Sequence, residues 1–272
     1  MIKKLLAFYG ISAMVIAALL VAGTPSKAAP ARERGYSLPK DAVQISDNLY
    51  SLGTARDPKT GKLVEGYAII HRKDAQAKPS GAGAGSKGPT CYGFLAKGAK
   101  WKGTPEPWVV NPENNSGLTD SFIFNSIATD IGTWETAAVN NVLGDGSTTN
   151  DDLSVGVNKM NDVNETYFGT IADSNTIAVT IVWGYFYGPT FSRELLEWDQ
   201  IYNTYYQWSD AGEAGKMDFR NINTHELGHS FGLGDLYNSS CSLETMYGYA
   251  DFGETNKQDL NTGDITGINQ LY

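Results

Sequence analysis

The chain has 272 residues, of which 41% are hydrophobic and 19% charged. That is the composition of a folded domain with a sizeable core, and it excludes a disordered or fibrous chain. A formal net charge of −9 excludes the basic footprint that a binder of phosphate backbones needs, so no nucleic acid is expected as a partner.

Lys3 and Lys4 precede an apolar run over residues 5–22, and Pro25, Ser26, Lys27, Ala28 and Ala29 follow. A basic start, an apolar stretch and a small-residue end make an export signal, and cleavage after Ala28 fits best because Pro30 follows Ala29. The bland alternative is an uncleaved anchor, since the run is just long enough to cross a bilayer as a helix. With cleavage, residues 1–28 are a signal peptide. The remainder is expected to be secreted and to have no membrane partner, because no second apolar run of spanning length occurs.

Residues 29–89 form an N-terminal segment. Two strands are predicted, Asn48-Leu49-Tyr50-Ser51-Leu52 and residues 64–70, joined through the turn chemistry of Asp57-Pro58-Lys59-Thr60-Gly61-Lys62. Two strands cannot support a domain of their own, so this hairpin must dock elsewhere or stay loosely ordered. Residues 79–89, rich in glycine and serine between two prolines, read as a flexible linker and an accessible place for nicking.

Residues 90–272 read as one α+β domain. A strand is predicted around Trp108-Val109-Val110-Asn111, and a helix over residues 120–138, with Asp120 as its cap. Residues 153–157 alternate as a strand should. Branched and aromatic residues make 177–186 strongly β. Residues 194–208 are ambiguous between strand and helix. A helix is predicted over 223–233, and a short terminal helix over 263–272.

The stretch His225-Glu226-Leu227-Gly228-His229-Ser230-Phe231-Gly232-Leu233-Gly234-Asp235 holds two of the chain's three histidines. In a helix, residues four apart share a face, so His225 and His229 can reach one metal ion. Glu226 flanks that face and can touch a water on the metal without being a ligand, as metal-assisted hydrolysis requires. A catalytic zinc usually takes three protein ligands and leaves the fourth place to water. The third histidine, His71, lies far away in the N-terminal segment. Candidates for the third ligand are therefore Asp235, Cys241 and Glu254. Gly232 favours Asp235, because glycine takes positive φ without strain and can turn the chain back beneath the metal. A thermolysin-like pattern would use Glu254, but its surroundings do not read as a helix. The bland alternative for the whole stretch is an amphipathic helix carrying His, Glu and His by chance.

These residues resemble the metzincin zinc peptidases, whose pattern is H-E-x-x-H-x-x-G-x-x-H or D. A second family hallmark, a methionine in a tight turn below the metal, is matched by Met246 in Thr245-Met246-Tyr247-Gly248-Tyr249. Among metzincins the chain is most similar to the matrixins. Lys100-Trp101-Lys102, the strand at Trp108, the helix ending Thr133-Trp134-Glu135 and the closing residues 263–272 carry the weaker matches. The resemblance implies a metzincin-type zincin: a twisted mixed sheet, an active-site helix, and a small C-terminal subdomain containing the Met-turn. It implies a zinc-dependent endopeptidase with Glu226 as general base, acting on an extended protein or peptide that pairs with an edge strand at residues 177–186. By analogy Tyr249 lines the pocket after the scissile bond, although plain packing explains it as well.

The chain departs from the matrixins in its third ligand, where Asp235 replaces histidine as in the snapalysin-like metzincins. With no histidines left over, a second histidine-bound zinc is not expected. Calcium remains open through carboxylates and carbonyls, with Asp151, Asp152, Asp162 and Asp173 as loose candidates. Cys91 stands where many matrixins carry a latency cysteine, but Gly88-Pro89-Thr90-Cys91-Tyr92-Gly93 lacks their P-R-C-G pattern. Two cysteines in an oxidising compartment favour a Cys91–Cys241 disulfide over such a switch. Latency would then come from elsewhere, and the segment before the linker could supply it by adding a strand to the edge. Two alternatives to the peptidase reading are a secreted, zinc-stabilised binding protein without turnover and a thermolysin-like peptidase using Glu254.

Overall fold

The strand Thr176–Tyr185, rich in branched and aromatic side chains, lies in the middle of a sheet and is buried almost along its whole length. The computed structural model describes residues 34–73, 90–103 and 105–272. The predicted signal peptide and the linker at 79–89 lie outside the described residues. In chain order the strands of the large sheet are β1 (Gly35–Tyr36), β2 (Val43–Gln44), β3 (Leu49–Arg56), β4 (Leu63–Arg72), β5 (Glu106–Asn111), β6 (Leu143–Thr148), β7 (Asn164–Ile171), β8 (Thr176–Tyr185) and β9 (Glu194–Asn203). The helices are α1 (Asp120–Ala138), α2 (Phe219–Ser230) and α3 (Thr262–Leu271).

The sheet runs β2-β3-β4-β8-β9-β7-β5-β6, with β1 paired to β7. Strands β6, β5, β7 and β9 are mutually parallel, while β8 runs antiparallel to β9 and to β4. This is the mixed sheet of an α+β fold. Two apolar layers sandwich it. Ala178 and Val182 of β8 face the helices and join Trp134, Trp198, Phe219 and Leu227. Val179, Ile181 and Trp183 face the other way, onto Tyr167 and Ile201. The side-chain period of two along β8 separates the layers.

The N-terminal hairpin docks rather than remaining loose. Tyr36, Val64, Ala68 and Ile70 are buried in the second layer. Burying an aliphatic side chain of this size contributes about 1.5–3 kcal/mol, which an isolated two-stranded ribbon cannot obtain. Gly66 is required there, since a Cβ would lie 2.5 Å from the Trp183 ring.

Several local expectations are corrected. Helix α1 is capped by Thr119, whose side chain accepts from the Phe122 N–H, and Asp120 is the first helical residue. Residues Leu153–Val155 form a single 3-10 turn, not a strand, because the Asp152 side chain accepts the Ser154 N–H and closes an N-cap. The ambiguous stretch resolves as strand β9, ending at Asn203. The expected substrate edge is not an edge: β8 has β4 along one side and β9 along the other.

Candidate active site

Helix α2 begins where the Asp218 side chain accepts the Asn221 N–H at 2.8 Å, four residues earlier than periodicity suggested. It ends at Ser230, three residues before the expected Leu233, and Gly232 makes the expected turn. Gly232 has φ +102°, its N–H donates to His229 O, and a Cβ there would lie 2.8 Å from Ala99 O. Only glycine fits that turn. The chain reverses and brings Asp235 back to the histidines.

His225 and His229 are fully buried. Nδ1 of His225 bonds Thr245 O at 2.7 Å, and Nδ1 of His229 bonds Leu233 O at 2.9 Å. A carbonyl oxygen only accepts, so each Nδ1 carries the proton and each Nε2 presents a lone pair. Those two Nε2 atoms lie 3.1 and 3.4 Å from Asp235 Oδ1. All three are buried and without a hydrogen-bond partner. Ligands about 2.0 Å from a tetrahedral zinc stand about 3.3 Å apart, so the donor set fits that ion. The three residues form one group of potential ligand atoms within 4.8 Å of one another.

The other Asp235 oxygen, Oδ2, accepts from the Tyr237 hydroxyl at 2.7 Å, and that hydroxyl accepts from Asn48 Nδ2 at 2.8 Å. Burial opposes the Asp235 charge, but His229 and the contacts with both histidines hold its carboxyl well below the usual range. Burial pushes His225 down to about 4, which suits an imidazole that must be neutral to bind metal.

Glu226 is fully buried. Its Oε2 accepts from the Thr180 hydroxyl at 2.6 Å, and its Oε1 is hydrogen-bonded to His71 Nδ1 at 2.8 Å. Burial pushes Glu226 up to about 7, against the pull of His229 and of the Thr180 bond. The His71 ring also stacks on that of His225, with centroids 3.9 Å apart. With His225 and Glu226 it makes a second group of three donor atoms. Sequence reading set His71 aside as remote. Its only signal was that it is the one histidine left over.

Met246 is buried, and its Sδ lies so close to α2 that a Cβ on Gly228 would come within 2.1 Å of it. The Thr245 and Met246 N–H groups both donate to the Asp264 carboxylate on α3, at 2.7 and 3.1 Å. Leu236 N–H donates to Met246 O, coupling this turn to the residue after Asp235. Buried Lys257 donates to Tyr247 O and Tyr249 O, fixing the segment that follows. Lys257 carries no local signature, Asp264 shows in the sequence only as the capping-box partner of Asn261 at the start of α3, and neither role at this turn was foreseen. Tyr249 is buried against the rings of Tyr237 and Tyr247.

Cys91 and Cys241 are joined in a disulfide, so Cys241 is not a metal ligand and Cys91 is not a free latency thiol. Glu254 Oε2 accepts the Asp251 N–H, and Glu254 belongs to neither donor group. Asp151, Asp152, Asp162 and Asp173 likewise join no such group among the described residues. Asp162 pairs with Lys59 at 2.8 Å and Asp173 with Arg72 at 2.6 Å.

Residues 106–272 match the family model for Matrixin. The chain belongs to the matrixin family. It is thereby a zinc metallopeptidase with the α+β fold of that family. Among curated proteins, none matches the chain. Among solved structures, metalloproteinase-II from Bacteroides fragilis is similar at 11% identity, covering 82% of this chain and 76% of that one. The TM-score of that match is 0.33, too low to carry weight here.

Proposed function

We propose that this matrixin is a secreted zinc-dependent endopeptidase of the Asp-ligand type, in which His225, His229 and Asp235 hold the metal and Glu226 is the general base. Residues 1–28 serve as the export signal, 29–89 as an N-terminal segment and 90–272 as the peptidase domain. The observation that carries the reading is the convergence of three unpartnered, buried donor atoms beside a buried glutamate. A bound zinc supplies Lewis acidity toward the scissile carbonyl and acidifies a water. Glu226, adjacent to His225 on α2, takes a proton from the attacking water and later delivers it to the leaving amine. The carbonyls of Thr245 and Leu233 fix the ring orientations of the two histidines, and Tyr237 orients Asp235. Met246 forms the floor under α2, as the Met-turn of the C-terminal subdomain. Tyr249, held through its carbonyl by Lys257, walls the pocket beyond the scissile bond.

A purely structural zinc site has no use for a buried base, and Glu226 therefore favours turnover over a zinc-stabilised binding protein. The test is casein hydrolysis by the zinc-loaded chain, before and after limited proteolysis, with chelator, with zinc restored, and beside Glu226→Ala. Hydrolysis should vanish with chelator, return with zinc, and be missing from a variant that still holds one zinc. A Glu226→Ala protein as active as the parent would overturn the assignment.

A further inference from the structure

The chain's own β4 lies along the side of β8 that β9 leaves open. Eight residues pair across the two strands, from Glu65 with Gly184 to Arg72 with Thr176. With β9 on its other side, β8 has no main-chain edge left to offer a substrate. The side chains of β4 alternate. Val64, Ala68 and Ile70 enter the second core layer, whereas Ile69 enters the layer on the helix side and Tyr67 packs against it. The same alternation puts His71 beside Tyr67 and Ile69 on the helix face. Tyr67 stacks on Phe186 with ring centroids 5.0 Å apart, Ile69 pairs with Thr180, and His71 pairs with Ala178. At the end of that row His71 is fully buried between Glu226 and His225.

We infer that residues 34–73 are an intramolecular inhibitor: β4 fills the substrate strand position along β8, and His71 occupies the base. This rests on the peptidase reading above. Each oxygen of Glu226 already has a partner, Thr180 on one and His71 on the other, so an attacking water has to compete with the His71 ring for the base. The hairpin also reaches the candidate ligand Asp235 through Asn48 and Tyr237. Arg72 ties the end of β4 down by donating to Asn48 and pairing with Asp173. Strand β2 is exposed and β3 is half-buried to exposed, and the hairpin tip is held by the Lys59–Asp162 pair and by the Tyr185 hydroxyl, which donates to Asp57. The segment is thus attached by two ladders, β4 on β8 and the two-residue β1 on β7, by apolar side chains on both faces of β4 and by a few polar contacts, and cutting between 74 and 89 would leave it held by these alone. His71 does the work for which the sequence offered Cys91, a cysteine already spent in a disulfide.

The test uses the exported chain with residues 80–86 replaced by the recognition sequence of a site-specific protease, folded with its disulfide and zinc. Cleavage is followed by stripping of the released segment in dilute urea and return to buffer. Casein hydrolysis is read together with amide hydrogen exchange along β8, which does not depend on activity. The uncut chain should be silent with β8 protected. The stripped chain should hydrolyse casein with β8 exchanging. Added peptide 33–73 should silence it again, and His71→Ala in that peptide should weaken the inhibition roughly five- to hundredfold, the range for losing one buried hydrogen bond. An uncut chain as active as the stripped one would overturn the proposal. So would a chain that unfolds on losing the segment, since β4 would then be a permanent strand. If the stripped chain stays folded, holds zinc and cuts nothing, the peptidase reading fails. The strand proposal is then judged by whether peptide 33–73 binds and restores protection to β8, and failure to do so would reject it.

Discussion

His71 Nδ1 lies 2.8 Å from Glu226 Oε1, although 155 positions separate the two residues. The leftover histidine of the N-terminal segment and the proposed base on α2 meet in a fully buried place. That contact turns a segment that looked like an appendage into part of the site, and several quantitative expectations surround it.

The third ligand can be decided by zinc affinity. Asp235→Ala should lower it by at least about a hundredfold, more than the loss typical of an outer-shell partner, while Glu254→Ala should leave it unchanged. Competition with a chromophoric chelator measures both. The reverse pattern would move the ligand to Glu254.

Tyr237→Phe removes the hydroxyl that donates to Asp235 Oδ2 and keeps the ring that packs on Tyr249. Outer-shell losses of this kind typically cost roughly 10- to 100-fold in metal affinity. The variant should show that drop with an unchanged near-ultraviolet circular dichroism spectrum. Wild-type zinc affinity would mean that Asp235 needs no orienting partner.

Gly228→Ala would place a methyl 2.1 Å from Met246 Sδ and 2.9 Å from Trp134 Cζ2. Overpacking of a well-filled interior costs about 1–3 kcal/mol. Chemical denaturation should show that loss, with weaker zinc binding as the Met246 turn, which orients His225 through Thr245, is pushed away. An unchanged denaturation midpoint would show that this floor gives way freely.

Glu197 is fully buried in β9, with Oε2 accepting the Asn161 N–H at 2.8 Å and also the Asp162 N–H. Burial pushes it up to about 8, against 4.5 for an ordinary glutamate. The folded state therefore holds a proton that the unfolded state releases. Stability from this group is fully present below about pH 4.5 and is lost as pH rises through about 8, with a slope of at most about 1.4 kcal/mol per pH unit. In urea titrations at pH 5 and pH 8, Glu197→Gln should lose less stability between the two than the parent does. Equal losses would mean that Glu197 does not titrate there.

The cross-link between Cys91 and Cys241 closes a separation of 150 residues. Replacing both with serine should cost about 2–5 kcal/mol, read as a lower denaturation midpoint, with zinc content unchanged because neither cysteine belongs to a donor group. Loss of zinc in that variant would instead tie the bridge to the metal site.

What the sequence determined by itself was local. The helical period places His225 and His229 on one face of α2, Glu226 follows directly, and a glycine three residues past His229 marks a turn that favours Asp235 over Cys241 and Glu254. The branched and aromatic run of β8 declared itself a strand in the same way. Tertiary structure decided whatever depends on residues far apart in the chain. Backbone hydrogen bonding is indifferent to sequence, so nothing in residues 177–185 says that β4 rather than a substrate will pair with them. Asp264 beneath the Met246 turn, Tyr237 and Asn48 behind Asp235, and the Cys91–Cys241 pairing are all long-range meetings of common residue types. The joining of His71 to Glu226 is of the same kind, because it follows from the register of β4 on β8, and a shift by one residue would turn that imidazole to the opposite face of the sheet.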